Sequence, residues 1–241
     1  MSGAGWKSRR TNWLAPSEAK QALRRYTLKN SFKTRFLHHL VLLLAAIMTG
    51  AAFYYFLAPR GQLFWLSMAT AYASLALLAL SLMIGPWNVL RGNPNPVSGY
   101  LRRDIGIWAG VLGIAHVVPG LLQHFRGRMW LYFLPPPNAT YSFPLRIDAF
   151  GLTNYAGLGA TLILLLLLSL SNNASLRSLG AGRWKSLQRW NYAAALLVVA
   201  HGAVYQVLEK RMLGFVLAFG TVALVTLAAQ IAGFGSVKKK A

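Results

Sequence analysis

Between residues 36 and 232 the chain alternates long apolar runs with short polar or basic breaks. Six runs, at 36–58, 63–85, 104–124, 148–170, 190–208 and 212–232, approach or exceed the roughly 20 residues that a helix needs to cross a hydrocarbon core about 30 Å thick. The second run closes on Gly85-Pro86, a helix-stop signal. The fourth contains Leu162 to Leu168, almost unbroken aliphatic. The fifth and sixth are separated only by Glu209-Lys210-Arg211, enough for a tight turn. The pattern predicts an all-α integral membrane protein: a six-transmembrane-helix bundle over 36–232, a basic arm over 1–35 and a basic tail over 233–241. Within the arm, Ser17 to Leu28 is expected to form a short amphipathic helix behind Pro16.

Composition sharpens that picture. Of 241 residues, 56% are hydrophobic and only four are acidic: Glu18, Asp104, Asp148 and Glu209. Lys and Arg number 25, for a net charge of +21. On a soluble fold that charge would suggest nucleic acid. Here the basic residues lie between apolar runs, so the expected partner is the lipid bilayer and no nucleic acid. The absence of cysteine excludes disulfides, thiolate metal sites and iron–sulfur clusters. The first 35 residues lack an apolar core, so no cleavable signal peptide is expected there. With the N-terminus inside, 19 of the 25 basic residues fall on the cytoplasmic side. Six stay outside: Arg60, Arg126, Arg128, Arg146, Lys210 and Arg211. That asymmetry predicts both termini cytoplasmic. The longest outer loop, 125–147, carries Pro135-Pro136-Pro137 with Trp130, Tyr132, Phe133, Tyr141 and Phe143, and is expected to lie at the membrane interface. A docking surface for an outer partner is its alternative reading. Asn138-Ala-Thr140 fits a glycosylation triplet, a pattern too frequent by chance to carry weight.

Candidate chemistry centres on two stretches with one grammar. Leu101-Arg-Arg-Asp leads through an apolar run to His116, and Arg183-Trp-Lys-Ser-Leu-Gln-Arg leads through another to His201. Each histidine lies 12 or 13 residues beyond a basic anchor. At about 1.5 Å per residue, both reach a depth of roughly 18–20 Å if the helices are entered from one side. An ionisable residue inside a span is a functional candidate, and two imidazoles at one depth are what a bis-histidine heme requires. Small residues flank both: Gly110, Gly113 and Gly120 near His116, Ala193 to Ala195, Ala200 and Gly202 near His201. These suit either a macrocycle against the backbone or ordinary helix packing. Arg126, Arg128, Lys210 and Arg211 sit just past the two helices on the outer side, placed to pair with propionates or to be solvated. His124 reads as an interfacial polar residue, with a second ligand or a propionate partner as alternatives. His38 and His39 read as boundary residues.

The stretches Arg102-Arg103-Asp104-Ile-Gly-Ile-Trp-Ala before His116 and Trp184-Lys-Ser-Leu-Gln188-Arg-Trp-Asn-Tyr before His201 resemble the ferric-reductase-like transmembrane family. Its members include the heme-binding membrane subunits of periplasmic methionine sulfoxide reductase systems. The likeness covers about 36–232. It implies heme b between the third and fifth spans, ligated here by His116 and His201, and electron passage across a bacterial inner membrane. Fuller members stack two hemes on four histidines. In this chain Gln188 stands thirteen before His201, Arg103 stands thirteen before His116, and Met129 and Trp130 stand thirteen and fourteen after it. One heme b per chain is therefore expected. No Gly-x-Gly-x-x-Gly stretch is present and the chain ends nine residues past the last span, so the expected donor is a quinol or a separate flavoprotein. The acceptor would be a periplasmic reductase partner or ferric ion. The chain then reads as the electron-transfer subunit of an oxidoreductase, ferric reductase-like or methionine sulfoxide reductase-like, with no catalytic residue of its own. The rival reading is a heme-free transporter or scaffold in which the two histidines cross-link helices.

Overall fold

The computed structural model describes residues 16–92, 99–137 and 143–238, and the side chains of all of these except 16–31 and 237–238. The first 15 residues of the basic arm, the Asn138–Thr140 triplet, Tyr141 and the last three residues of the tail lie outside that description. Seven α-helices occur among the described residues, with no strand: α1 (Pro16–Leu57), α2 (Gln62–Leu90), α3 (Tyr100–His124), α4 (Ala149–Leu170), α5 (Asn173–Gln188), α6 (Trp190–Leu208) and α7 (Leu213–Lys238). Short 3₁₀ turns cover Ala58–Arg60 and Met129–Tyr132. Six segments are long and apolar enough to cross a membrane, with α5 and α6 counted as one, which is the make-up of a multi-pass membrane protein. Half of the apolar stretch of α2 is buried, against 6% for those of α1 and α7. α2 is therefore the axis of the bundle: it packs on α3 and α7, while α4 packs on α6.

Three boundaries differ from expectation, each for a local reason. α1 is one continuous helix from Pro16, because no Gly or Pro interrupts residues 17–49 and Pro16 opens it where its missing N–H costs nothing. The arm segment and the first span therefore merge. α2 runs past Gly85-Pro86 to Leu90. A proline inside a helix frees the carbonyl four residues earlier, here that of Leu82, and Gln230 Nε2 on α7 donates to that oxygen at 2.9 Å. Gly233, one turn further along α7, is what lets the helices close there, since a Cβ on it would lie 2.8 Å from Pro86 Cβ. The fifth span is preceded by α5, capped by the Asn172 side chain accepting from Ser175 N and bent at Gly180, where φ is 72°. Trp184 pins α5 by donating to Leu170 O at 2.9 Å.

Gln230→Leu keeps the volume and removes the donor, leaving the Leu82 carbonyl unpaired inside the bundle. The expected loss is about 1–2 kcal/mol of stability, read from reversible unfolding in mixed micelles. An unchanged midpoint would mean that Pro86 needs no such partner.

Two polar knots hold the ends of α3. At its start Asp104 is completely buried, and a carboxylate there requires partners. Arg35 donates to it through Nε and Nη2 (3.1 and 2.8 Å), His38 Nδ1 donates at 2.9 Å, and His39 Nε2 lies 3.6 Å away. Trp108 Nε1 donates to His39 Nδ1 at 3.0 Å. His38 and His39, expected as boundary residues, thus tie α1 to α3. At the far end the 3₁₀ turn folds back over the bundle. Tyr132 is buried there, and its hydroxyl donates to Gly120 O at 2.8 Å and accepts from His124 N. Burial raises the Tyr132 phenol pKa. Arg146 donates to Leu131 O and pairs with Asp148, the N-cap of α4. Tyr132 therefore departs from the expected interfacial placement, whereas Met129, Trp130 and Phe143 are exposed.

Candidate functional site

His116 lies four turns into α3, and His201 three turns into α6. Their ring centroids are 6.4 Å apart, with planes at 78°. No hydrogen bond joins the two rings; each is oriented by a different helix. His116 Nδ1 donates to Ser67 O on α2 at 3.0 Å, with Ser67 Oγ at 3.4 Å. His201 Nδ1 donates to Thr153 O on α4 at 2.8 Å, and Thr153 Oγ1 returns a hydrogen bond to His201 O at 3.1 Å. A backbone carbonyl can only accept, so each bond places the proton on Nδ1 and leaves the Nε2 lone pair available. Neither Nε2 has a hydrogen-bond partner among the described residues. Holding an imidazole by its far nitrogen is how proteins present the near one to a metal.

The His201 ring rests on bare backbone. A Cβ on Gly157 of α4 would lie 2.7 Å from His201 Nδ1 and 2.9 Å from Cε1, so only glycine fits beneath it. Tyr205, one turn after His201, lies against its ring with centroids 4.9 Å apart and planes tilted by 52°, and donates to Asn154 Oδ1 at 2.9 Å.

Both rings line a cavity of about 290 Å³ between α2, α3, α4, α6 and α7. Its walls are mostly apolar, near the lower bound of about 300 Å³ for small-molecule pockets. The flanking small residues divide in role. Cβ atoms on Gly110 and Gly113 would collide with Leu168 and with Leu164 and Ser74, and one on Gly202 with Phe219, so these three serve helix packing, and Gly113 and Gly202 line the cavity as well. Gly120 faces the cavity, with ordinary contact distance to His116 Nε2.

Of the four outer basic residues, Arg211 alone lines this cavity, while Arg126, Arg128 and Lys210 are exposed and line none of it. The turn after α6 explains the difference. Lys210 N bonds Val207 O, Arg211 N bonds Gln206 O, and Lys210 takes a left-handed φ of 45°. This is a Schellman reversal with lysine where glycine is usual, and it turns Arg211 back over the bundle. Burial lowers the Arg211 pKa, and the charge of Glu209 opposes that shift. His124, expected as an interfacial residue, pairs through Nε2 with Glu209 at 2.9 Å and lines the same mouth. Gln123 and Gln206 each place a buried amide oxygen there with no partner among the described residues.

Among the described residues no group of three or more His, Cys, Asp or Glu converges to hold a bare metal ion. Ser67, Thr153 and Gly157 were not found from sequence. The first two act through backbone oxygens, which no residue type advertises. The arrangement defines a class, a helical multi-pass bundle with two oriented imidazoles lining one largely apolar cavity. No family model and no curated protein matches the chain.

Proposed function

We propose that this chain is a b-type cytochrome of the ferric-reductase-like kind, an electron-transfer subunit holding one heme b between His116 and His201. One observation carries the proposal: two imidazoles with available Nε2 atoms, each fixed by a carbonyl on Nδ1, across one apolar cavity. With the two Nε2 atoms in line on either side of a metal, two metal–imidazole bonds of about 2.0 Å plus roughly 1.2 Å from each nitrogen to its ring centre would separate the ring centres by about 6.4 Å. The observed centroid separation is 6.4 Å. His116 and His201 would hold such a heme through one imidazole nitrogen each, and a bis-histidine heme would supply one-electron transfer and no substrate site. The chain's residues orient the ligands, exclude water with apolar walls and place a positive charge, Arg211, at the mouth. Gln206 supports that mouth. Its Nε2 donates to Tyr72 OH at 3.2 Å, and Tyr72 OH in turn donates to Phe215 O at 2.9 Å.

The excess of basic residues at one end favours both termini in the cytoplasm of a bacterial inner membrane, with the histidine cavity in the outer half. Electrons would pass from a quinol or a separate flavoprotein to a periplasmic reductase or ferric ion. Heme quantified per chain in detergent-purified protein tests the reading: one equivalent is expected, and none from heme-replete cells contradicts it. Arg211→Gln is expected to lower the heme midpoint potential by tens of millivolts, because a nearby positive charge favours the reduced state. Arg126→Gln and Arg128→Gln, at exposed positions, are expected to shift it by less than a third as much. Potentiometric titration of the three variants checks this ordering.

A further inference from the structure

The other half of the bundle contains a second cavity, of about 380 Å³, lined by the start of α3, α5, the start of α6 and the ends of α2, α4 and α7. Arg103 lies thirteen residues before His116, about 20 Å away along α3. It is 7% exposed and lines this cavity. Its Nη1 donates to Asn173 Oδ1 at 2.8 Å and its guanidinium carbon lies 5.6 Å from the Tyr100 ring centre, but Nε and Nη2 are buried with no hydrogen-bond partner among the described residues. None of the ion pairs among those residues includes Arg103. Nε and Nη2 form one edge of the guanidinium fork, the edge that grips two oxygens of an oxyanion side by side. Gln188 Nε2 and Asn191 Oδ1 are also buried without partners and line the same cavity. Arg102, Lys185 and Arg189 add cationic groups, and no Asp or Glu lines the site. Its depth is apolar, with Leu164, Leu167 and Leu168.

We infer that this cavity binds a phosphate-bearing anion, gripped by the free edge of Arg103 with Gln188 as a further donor, its apolar part against the leucines. The amide of Asn191 suits a hydroxyl of the same ligand. A carboxylate would satisfy the Arg103 edge alone, whereas phosphate has further oxygens for Gln188 and the surrounding cations. Basic pockets between membrane helices take anionic lipid headgroups by this chemistry, and a soluble phosphate ester presents the same group. The inference does not rest on the heme reading.

Binding is measured on the full chain, delipidated in mild detergent, by native mass spectrometry and equilibrium dialysis. The probes are phosphatidylglycerol, phosphatidylcholine and glycerol 3-phosphate. The variants are Arg103→Gln and Gly106→Leu. Gly106 lines the cavity and a Cβ there meets nothing within 4 Å, so leucine fills the space without disturbing the backbone. One equivalent of phosphatidylglycerol, preferred over phosphatidylcholine and weakened at least tenfold in both variants, supports the site with a lipid occupant. Saturable glycerol 3-phosphate binding with the same dependence supports it with a soluble one. Binding of neither, or phosphatidylglycerol binding equal in wild type and a monodisperse Gly106→Leu, overturns it.

Discussion

His116→Ala and His201→Ala are each expected to purify folded and with less than about a tenth of the wild-type heme, tenfold being about 1.4 kcal/mol of binding free energy. The expected loss is this large because, on the proposed reading, each imidazole would supply one of the two protein bonds to iron, and the other cavity walls are mostly apolar. The fold is expected to persist. Neither ring belongs to the buried core, and the hydrogen bond each makes is worth about 1 kcal/mol. The Ser67 and Thr153 carbonyls are helical and keep their backbone partners. Pyridine hemochrome assay, with size-exclusion chromatography as the folding control, reads the result. Full heme content in either variant would remove that residue from the site.

Gly157 substitutions are expected to act on heme without touching a ligand. A Cβ at this position would sit 2.7 Å from His201 Nδ1, too close to be accommodated without a shift, and Nδ1 is the atom that bonds Thr153 O. Gly157→Ala is expected to shift the heme spectrum and reduce occupancy several-fold. Gly157→Val, with a branched side chain beneath the ring, is expected to abolish occupancy. Orienting contacts around a metal ligand contribute about 10- to 100-fold in affinity, so a steric displacement that removes one belongs in that range. Gly220→Ala on α7, where a Cβ meets nothing within 4 Å, serves as the control and is expected to leave heme unchanged. Equal heme in Gly157→Val and wild type would mean that His201 is not held where it must be to ligate.

The spans were legible because an 18-residue apolar run admits few alternatives, and each of the six expected runs overlaps a helix long enough to cross a membrane. Their ends were less so. Gly85-Pro86 carries a local stop signal that Gln230, 144 residues beyond Pro86, overrides by supplying the Leu82 carbonyl with the donor that proline lacks. The pairing of His116 with His201, whose ring centres lie 6.4 Å apart, was suggested by spacing; the carbonyls of Ser67 and Thr153 and the bare backbone at Gly157 belong to helices folded against them and leave no mark in the pattern. Arg126, Arg128, Lys210 and Arg211 were indistinguishable in sequence because a Schellman turn with lysine at its left-handed position does not follow the usual glycine rule. Asp104, first residue of the expected third span, likewise shows in sequence nothing of the Arg35 and His38 that α1 brings onto it.

Electron paramagnetic resonance of the oxidised, purified protein tests bis-histidine ligation most directly. Two imidazoles bound to ferric heme give a low-spin signal, and planes as far from parallel as the 78° seen here make that signal strongly anisotropic. A single, strongly anisotropic low-spin species accounting for the heme present, lost in His116→Ala and in His201→Ala, is the predicted result. A high-spin signal in the wild-type protein, or a low-spin one that persists in either variant, would contradict it.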